Sequence, residues 1–237
     1  MIFASNKVLT WAPGKARHGI PIITRGEGVY LFDDQGNKFL DWTSQAVCSN
    51  MGYDLPESVI EGTMKQMRDL PFLYGGLGIA EVRARLSRLC GEILPGDLQG
   101  MVFPSSGSEA NEAAIMAARR YTKKFKVINW YRSYHGGTTN AQQATGDFRR
   151  WMGGDHVPGF VKASNPFPLF WDLKGETEEE KTQMALNMLE EQVLNEGVSY
   201  TTPSSYSCSN LFTIFILVLD LQTVVNNMHY RSQTLLH

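Results

Sequence analysis

Met101–Arg120 reads MVFPSSGSEANEAAIMAARR, and this stretch decides the fold class. Met101-Val102-Phe103 is a short apolar run closed by Pro104, which predicts a buried strand. Ser105-Ser106-Gly107-Ser108 follows, and then an alanine-rich helical segment, Glu109–Arg120. A helix start exposes unpaired backbone N–H groups and the positive end of the macrodipole. Gly107 lets a ligand approach the backbone closely, and the hydroxyls of Ser106 and Ser108 add donors, so the turn can cradle a phosphate. The same serines would serve equally as a ligand-free N-cap. No Gly-Lys-Ser/Thr follows, which excludes a Walker loop, and a single glycine is too few for a dinucleotide fingerprint. A phosphate held without either motif belongs to a phosphorylated cofactor rather than to a nucleotide.

Working outward, Val127–Trp130 reads as a second buried strand, and Tyr131–Thr139 (YRSYHGGTT) as a polar loop after it. Loops at the carboxyl ends of parallel strands converge on one crevice. There Tyr134 could lie flat on a planar heterocycle, with His135 beside it. The alternative is that both side chains simply pack on the sheet edge. Upstream, Gly28–Asp41 (GVYLFDDQGNKFLD) predicts a hairpin turning at Asp34–Asn37. Asp54-Leu55-Pro56 opens a helix with Asp54 as N-cap, followed by Val59, Ile60, Met64 and Met67 at helical spacing. Ile79, Val82, Leu86, Leu89 and Ile93 form another helical stripe, with Arg83, Arg85 and Arg88 off it as a solvated face. Downstream, Thr177–Glu180 predicts a capping box that starts a long helix ended by Gly197. Strands alternating with helices give an α/β domain with a mostly parallel sheet.

The 237 residues carry 43% hydrophobic and 19% charged side chains, enough apolar content for a sizeable core. A net charge of −2 argues against nucleic acid or an anionic membrane as partner. Cys48, Cys90 and Cys208 are odd in number and far apart, so neither a disulfide framework nor a metal site is expected. The segment before Pro21 has no apolar core of signal-peptide type, and Leu211–Leu219 (LFTIFILVL) is too short to span a bilayer. A cytoplasmic location is the expectation.

The two chemical motifs together resemble the class III (ω-amino acid type) pyridoxal-phosphate-dependent aminotransferases. The resemblance runs from about Pro21 to Gly197. It rests on the Gly28–Trp42 hairpin, Asn50–Tyr53 (NMGY), Phe103–Glu112 (FPSSGSEANE), Ala118–Tyr121 (ARRY) and Tyr134–Thr138 (YHGGT). It implies fold type I, here as a partial large domain with a mostly parallel sheet plus the N-terminal piece of a small domain. Residues 1–53 would belong to the small domain and 54–197 to the cofactor-binding domain. Residues 198–237, where composition shifts abruptly, would form a divergent tail outside the family fold.

The resemblance also implies roles. Gly107 and Ser108, with Ser106, would hold the phosphate of pyridoxal 5'-phosphate. Tyr134 would stack on its ring, and His135 would sit in the same pocket. Glu109 is assigned to structure, because a carboxylate suits the helix dipole but repels phosphate. Val47 and Cys48 fall where similar enzymes line the substrate entrance, and Tyr74–Gly76 where they approach a dimer interface. The substrates would be an amine or ω-amino acid and a 2-oxo acid such as pyruvate. Family members place the cofactor-bonding lysine and the ring-binding acid further along, and no lysine in this sequence occupies the expected context. Asp220, which closes Leu211–Leu219, is a poor match for that acid. No catalytic residue is therefore assigned. The chain is expected to be inactive alone, either a truncated transaminase or a non-catalytic partner that docks onto a full-length subunit; homodimers are the family norm.

Overall fold

The computed structural model describes residues 20–94, 99–151, 153, 156–167, 172–197 and 201–203. The chain divides into two units, one through Arg85 and one from Leu86.

The first unit opens with an antiparallel meander of β1 (Ile23–Glu27), β2 (Tyr30–Asp33) and β3 (Lys38–Leu40). The sequence hairpin is β2–β3, with Tyr30 opposite Leu40 and Phe32 opposite Lys38. Asp33 sets its turn. The Asp33 carboxylate accepts from the Gln35 amide at 3.0 Å, the Asn37 amide at 2.8 Å and Asn37 Nδ2 at 2.8 Å. A short acceptor that bonds its own backbone a few residues on is what makes aspartate a turn former. The turn then passes through Gly36 at φ +84°. Two helices follow, α1 (Ser44–Val47) and α2 (Glu57–Asp69), and α3 (Glu81–Ile93) spans the division between the two units.

Asp54 does not cap α2. Pro56 is the N-cap, and Asp54 Oδ2 instead accepts from the Gly28 amide at 2.9 Å, tying the start of the helix to the β1–β2 turn. The apolar stripes of α2 and α3 occur at the expected spacing, yet neither helix has a buried residue. Met67 is 60% exposed and Leu89 53%.

The second unit contains α4 (Gly107–Thr122), β4 (Lys126–Trp130), α5 (Thr139–Ala144), β5 (Phe160–Ala163), α6 (Glu178–Glu196) and β6 (Thr201–Pro203). Its sheet is parallel in the order β5-β4-β6. The expected buried strand is β4 at the centre. Side chains alternate across a strand, so Val127 and Ile128 enter different cores. Val127 packs with Ile115 of α4, Ala144 of α5 and Phe160. Ile128 packs with Ala163, Val193 and Leu189, the last two from α6. Helices thus cover both faces of the sheet, as parallel strands require.

The predicted capping box is present. Thr177 Oγ1 accepts from the Glu180 amide at 3.2 Å, and Glu180 Oε2 accepts from the Thr177 amide at 3.3 Å. Gly197 ends α6 at φ +83°. Next to it, Lys126 Nζ reaches both the Glu196 carbonyl and its carboxylate at 2.7 Å, so the far end of α6 is fastened to the start of β4.

Met101–Phe103 is not a strand: these residues join no ladder. Pro104 removes one donor at the end of the run, and the described residues offer no neighbouring strand. Of the tail expected from residue 198, Thr201–Pro203 pairs with β4, placing Thr201 opposite Lys126. Leu211–Leu219, Asp220 and Cys208 lie outside the described residues. Among the described residues no helix is long and apolar enough to cross a membrane.

Candidate functional site

Helix α4 begins at Gly107, two residues earlier than its alanine-rich stretch suggests, with Ser106 as N-cap. Ser106 Oγ accepts from the Glu109 amide at 3.2 Å. Glu109 turns back, and its Oε2 accepts from the Ser105 amide at 2.8 Å. This reciprocal pair occupies two of the orphan donors near the helix start. It bears out the structural assignment of Glu109 and makes Ser106 a capping residue first.

The amides of Gly107 and Ser108, the first two of a 16-residue helix, have no partner among the described residues. A Cβ built on Gly107 would enter open space. Ser108 turns toward the glycine loop, where its Oγ accepts from the Gly137 amide at 3.2 Å. Its own proton has no acceptor among the described residues, so hydroxyl and amides can serve one anion together.

The glycine loop fits against this end of α4 because Gly136 has no side chain. At φ +130° a Cβ there would come within 2.2 Å of Ser108 Oγ. Two residues of α4 hold the loop and its sequel. Asn111 Nδ2 donates to the His135 carbonyl at 2.5 Å. Glu112 Oε1 accepts from the Asn140 amide at 2.7 Å and the Ala141 amide at 3.2 Å, and Glu112 Oε2 from Asn140 Nδ2 at 2.7 Å. Burial pushes the Glu112 carboxyl up, but the bonds from Asn140, Thr138 and the α5 amides outweigh it and hold it below the usual range. Asn111 and Glu112 were inside the quoted motif, yet nothing in the sequence showed that they reach forward to the loop.

His135 is fixed from both sides. Its amide donates to Thr145 Oγ1 at 3.0 Å, and Thr145, itself 1% exposed, donates to the Ala141 carbonyl at 3.0 Å. Burial, with help from the charge of Lys162 and against that of Asp147, pushes the His135 imidazole down to about 4. The ring is therefore neutral at pH 7.

Tyr134 stands at the rim and keeps 37% of its surface exposed. The guanidinium of Arg149 lies over its ring, Cζ being 3.8 Å from the centroid. Neither Arg149 nor its partner Asp147 carried any signal in the sequence. Val47 ends α1 and Cys48 follows it as an exposed cap, its amide donating to the Ser44 carbonyl at 2.9 Å. Both belong to the first unit, whereas the phosphate and ring residues belong to the second. Among the described residues no cluster of His, Cys, Asp and Glu could hold a metal ion.

A family model described as Aminotransferase class-III matches residues 12–199. The putrescine–pyruvate aminotransferase of Pseudomonas aeruginosa is 31% identical over 189 residues, which cover 76% of this chain and 41% of that protein. The crystal structure of taurine:2-oxoglutarate aminotransferase from Bifidobacterium kashiwanohense, in complex with PLP and glutamate, matches with a TM-score of 0.69 and 32% identity. It covers 77% of this chain and 41% of that one. The ω-transaminase of Pseudomonas jessenii in complex with PMP matches with a TM-score of 0.77 and 26% identity, over 83% of this chain and 46% of that one. The chain thus spans less than half the length of these proteins. The fold expected from the sequence, a partial α/β domain of the type I transferase architecture, is the fold of these structures.

Proposed function

This chain belongs to the class-III aminotransferase family, and from that premise we propose that its second unit binds pyridoxal 5'-phosphate for amino transfer. The observation that carries the reading is the bond from the Gly137 amide to Ser108 Oγ, which joins the helix start to the loop bearing Tyr134 and His135. The amides of Gly107 and Ser108, with the Ser108 hydroxyl, hold the phosphate; Ser106 shapes that turn. Tyr134 orients the pyridine ring by stacking, and neutral His135 walls the pocket without adding charge. Ordered loop amides and hydroxyls pre-aimed at one anion need no rearrangement when it arrives. When bound, the cofactor supplies the electron sink that amino transfer requires.

The donor is an amine or ω-amino acid and the acceptor a 2-oxo acid such as pyruvate. The 237-residue chain by itself is inactive, because none of its lysines stands in the context of the lysine that bonds the cofactor in similar enzymes. Residues 1–53 and 54–197 act as parts of the small and large domains, and of the segment 198–237 the part after β6 acts as a divergent tail. The test is a titration of the chain with pyridoxal phosphate, read by absorbance and fluorescence, followed by a product assay with a diamine donor and pyruvate. Saturable uptake that inorganic phosphate competes away is expected, with no product above a blank. Absence of uptake would overturn the cofactor reading, and steady turnover would overturn the inactivity.

A second reading is favoured by the exposed stripes of α2 and α3, where Val59, Met64, Val82 and Leu86 are each at least 40% exposed. Large uncovered apolar surface marks an interaction face. In this reading the chain pairs with a second aminotransferase chain, as a homodimer or on a full-length paralogue, and modulates it. Co-purification with a full-length subunit is the expected result, and a strictly monomeric chain in its presence would sink the idea.

A further inference from the structure

Resting on the cofactor reading above, we propose that Asp147 and Arg149 form a clamp that positions Tyr134 for stacking.

The clamp is built from the backbone outward. Trp130 ends β4, and the chain leaves the sheet through Arg132 at φ +64°. The Arg132 amide donates to the Gly146 carbonyl at 3.0 Å, and the Gly146 and Asp147 amides donate to the Ser133 carbonyl at 2.9 and 3.2 Å. These three bonds bring the Asp147 segment back alongside Ser133, one residue before Tyr134. Gly146 permits the approach, since a Cβ there would lie 1.9 Å from the Trp130 carbonyl. Asp147 then caps the short 3-10 turn Phe148–Arg150, its Oδ1 accepting from the Arg149 amide at 2.9 Å.

The other carboxylate oxygen of Asp147 accepts from Arg149 Nε at 2.8 Å and also from Nη2. Two bonds to one planar guanidinium fix its orientation as well as its position. The fixed plane lies over Tyr134 at 3.8 Å from the ring centroid, inside the range in which a cation is drawn to an aromatic face. The bond from Asp147 holds the Arg149 guanidinium charged, raising it further above its ordinary value. Because Tyr134 keeps 37% of its surface exposed, the clamp settles the ring without enclosing it. A side chain whose orientation is settled beforehand loses less freedom when a ligand stacks on it.

The experiment is a double-mutant cycle on pyridoxal phosphate affinity, using the 237-residue chain and the variants R149A, Y134A and R149A/Y134A. The expected result is about two- to five-fold weaker binding in R149A, the range of one exposed cation–ring contact. The loss should vanish in the Y134A background. R149K keeps the cation but not the paired bonds to Asp147, and should fall between wild type and R149A. Equal loss in both backgrounds would mean that Arg149 acts on the cofactor's charge or on the fold at large, and the inference would fail. Unchanged binding in R149A would also overturn it. If R149A melts early, D147N is measured in its place, with the same two readings. A wild-type chain that takes up no pyridoxal phosphate overturns the cofactor reading, and this inference with it.

Discussion

Lowering the pH from 7 to 5 destabilises the chain by about 2 kcal/mol through His135 alone. Unfolded, the imidazole titrates at its ordinary 6.5; folded, burial first and then the charge of Lys162 push it down to about 4, against the pull of Asp147. The unfolded chain therefore binds a proton that the folded chain refuses, and stability rises with pH wherever that holds. The contribution is fully present above about 6.5, is lost as pH falls toward 4, and changes no further below. The gap of roughly 2.5 pH units corresponds to about 3 kcal/mol in full, of which about 2 kcal/mol is spent between pH 7 and 5. Carboxylates also titrate in acid, so the comparison is with H135Q, which keeps the backbone bonds to Thr145 and Asn111 and has no proton to bind. Urea unfolding followed by tryptophan fluorescence at pH 7, 6 and 5 gives both profiles. The wild-type profile should fall more steeply by up to about 1.4 kcal/mol per pH unit. Parallel profiles would refute the reasoning, whatever offset separates them.

The phosphate cradle separates from its support by a pair of glycine changes. G107A places a methyl group in open space at the first position of α4; stability should stay within about 1 kcal/mol, while pyridoxal phosphate affinity falls at least tenfold in a fluorescence titration. G136A drives a methyl group onto Ser108 at a backbone conformation suited to glycine, and should lower stability by about 1–3 kcal/mol as well as affinity. At the other end of the unit, T177A removes the capping box of α6 and should cost about 1 kcal/mol in urea with no change in cofactor affinity.

What the sequence made legible was local. The β2–β3 turn at Asp34–Asn37, the Ser106 cap, the Thr177 capping box and the central strand each depend on residues within a few positions of one another, so propensity and spacing suffice. Met101–Phe103 shows the limit: an apolar run flanked by proline has strand composition, but a strand needs a neighbour, which composition does not supply. Asp54 fails similarly, because its carboxylate has a better use on the Gly28 amide, 26 residues away. At the site, Gly107, Ser108, Tyr134 and His135 announced themselves through a motif. Asn111, Glu112, Asp147 and Arg149 did not, since their work is done across the gap between α4 and the loop or around a backbone reversal. Strands β1 and β5 were missed because Thr24-Arg25-Gly26 and Lys162 interrupt their apolar pattern.

The backbone reversal at Ser133 and Gly146 also bears on the order of assembly. Its three bonds close a loop of only some dozen residues, a short contact that needs little chain entropy to form. Tyr134, His135 and the whole of α5 lie within that loop, so their arrangement can be reached as soon as this stretch is free to search. The amide hydrogens of Arg132, Gly146 and Asp147 then report on one opening event and should show a common degree of protection from exchange.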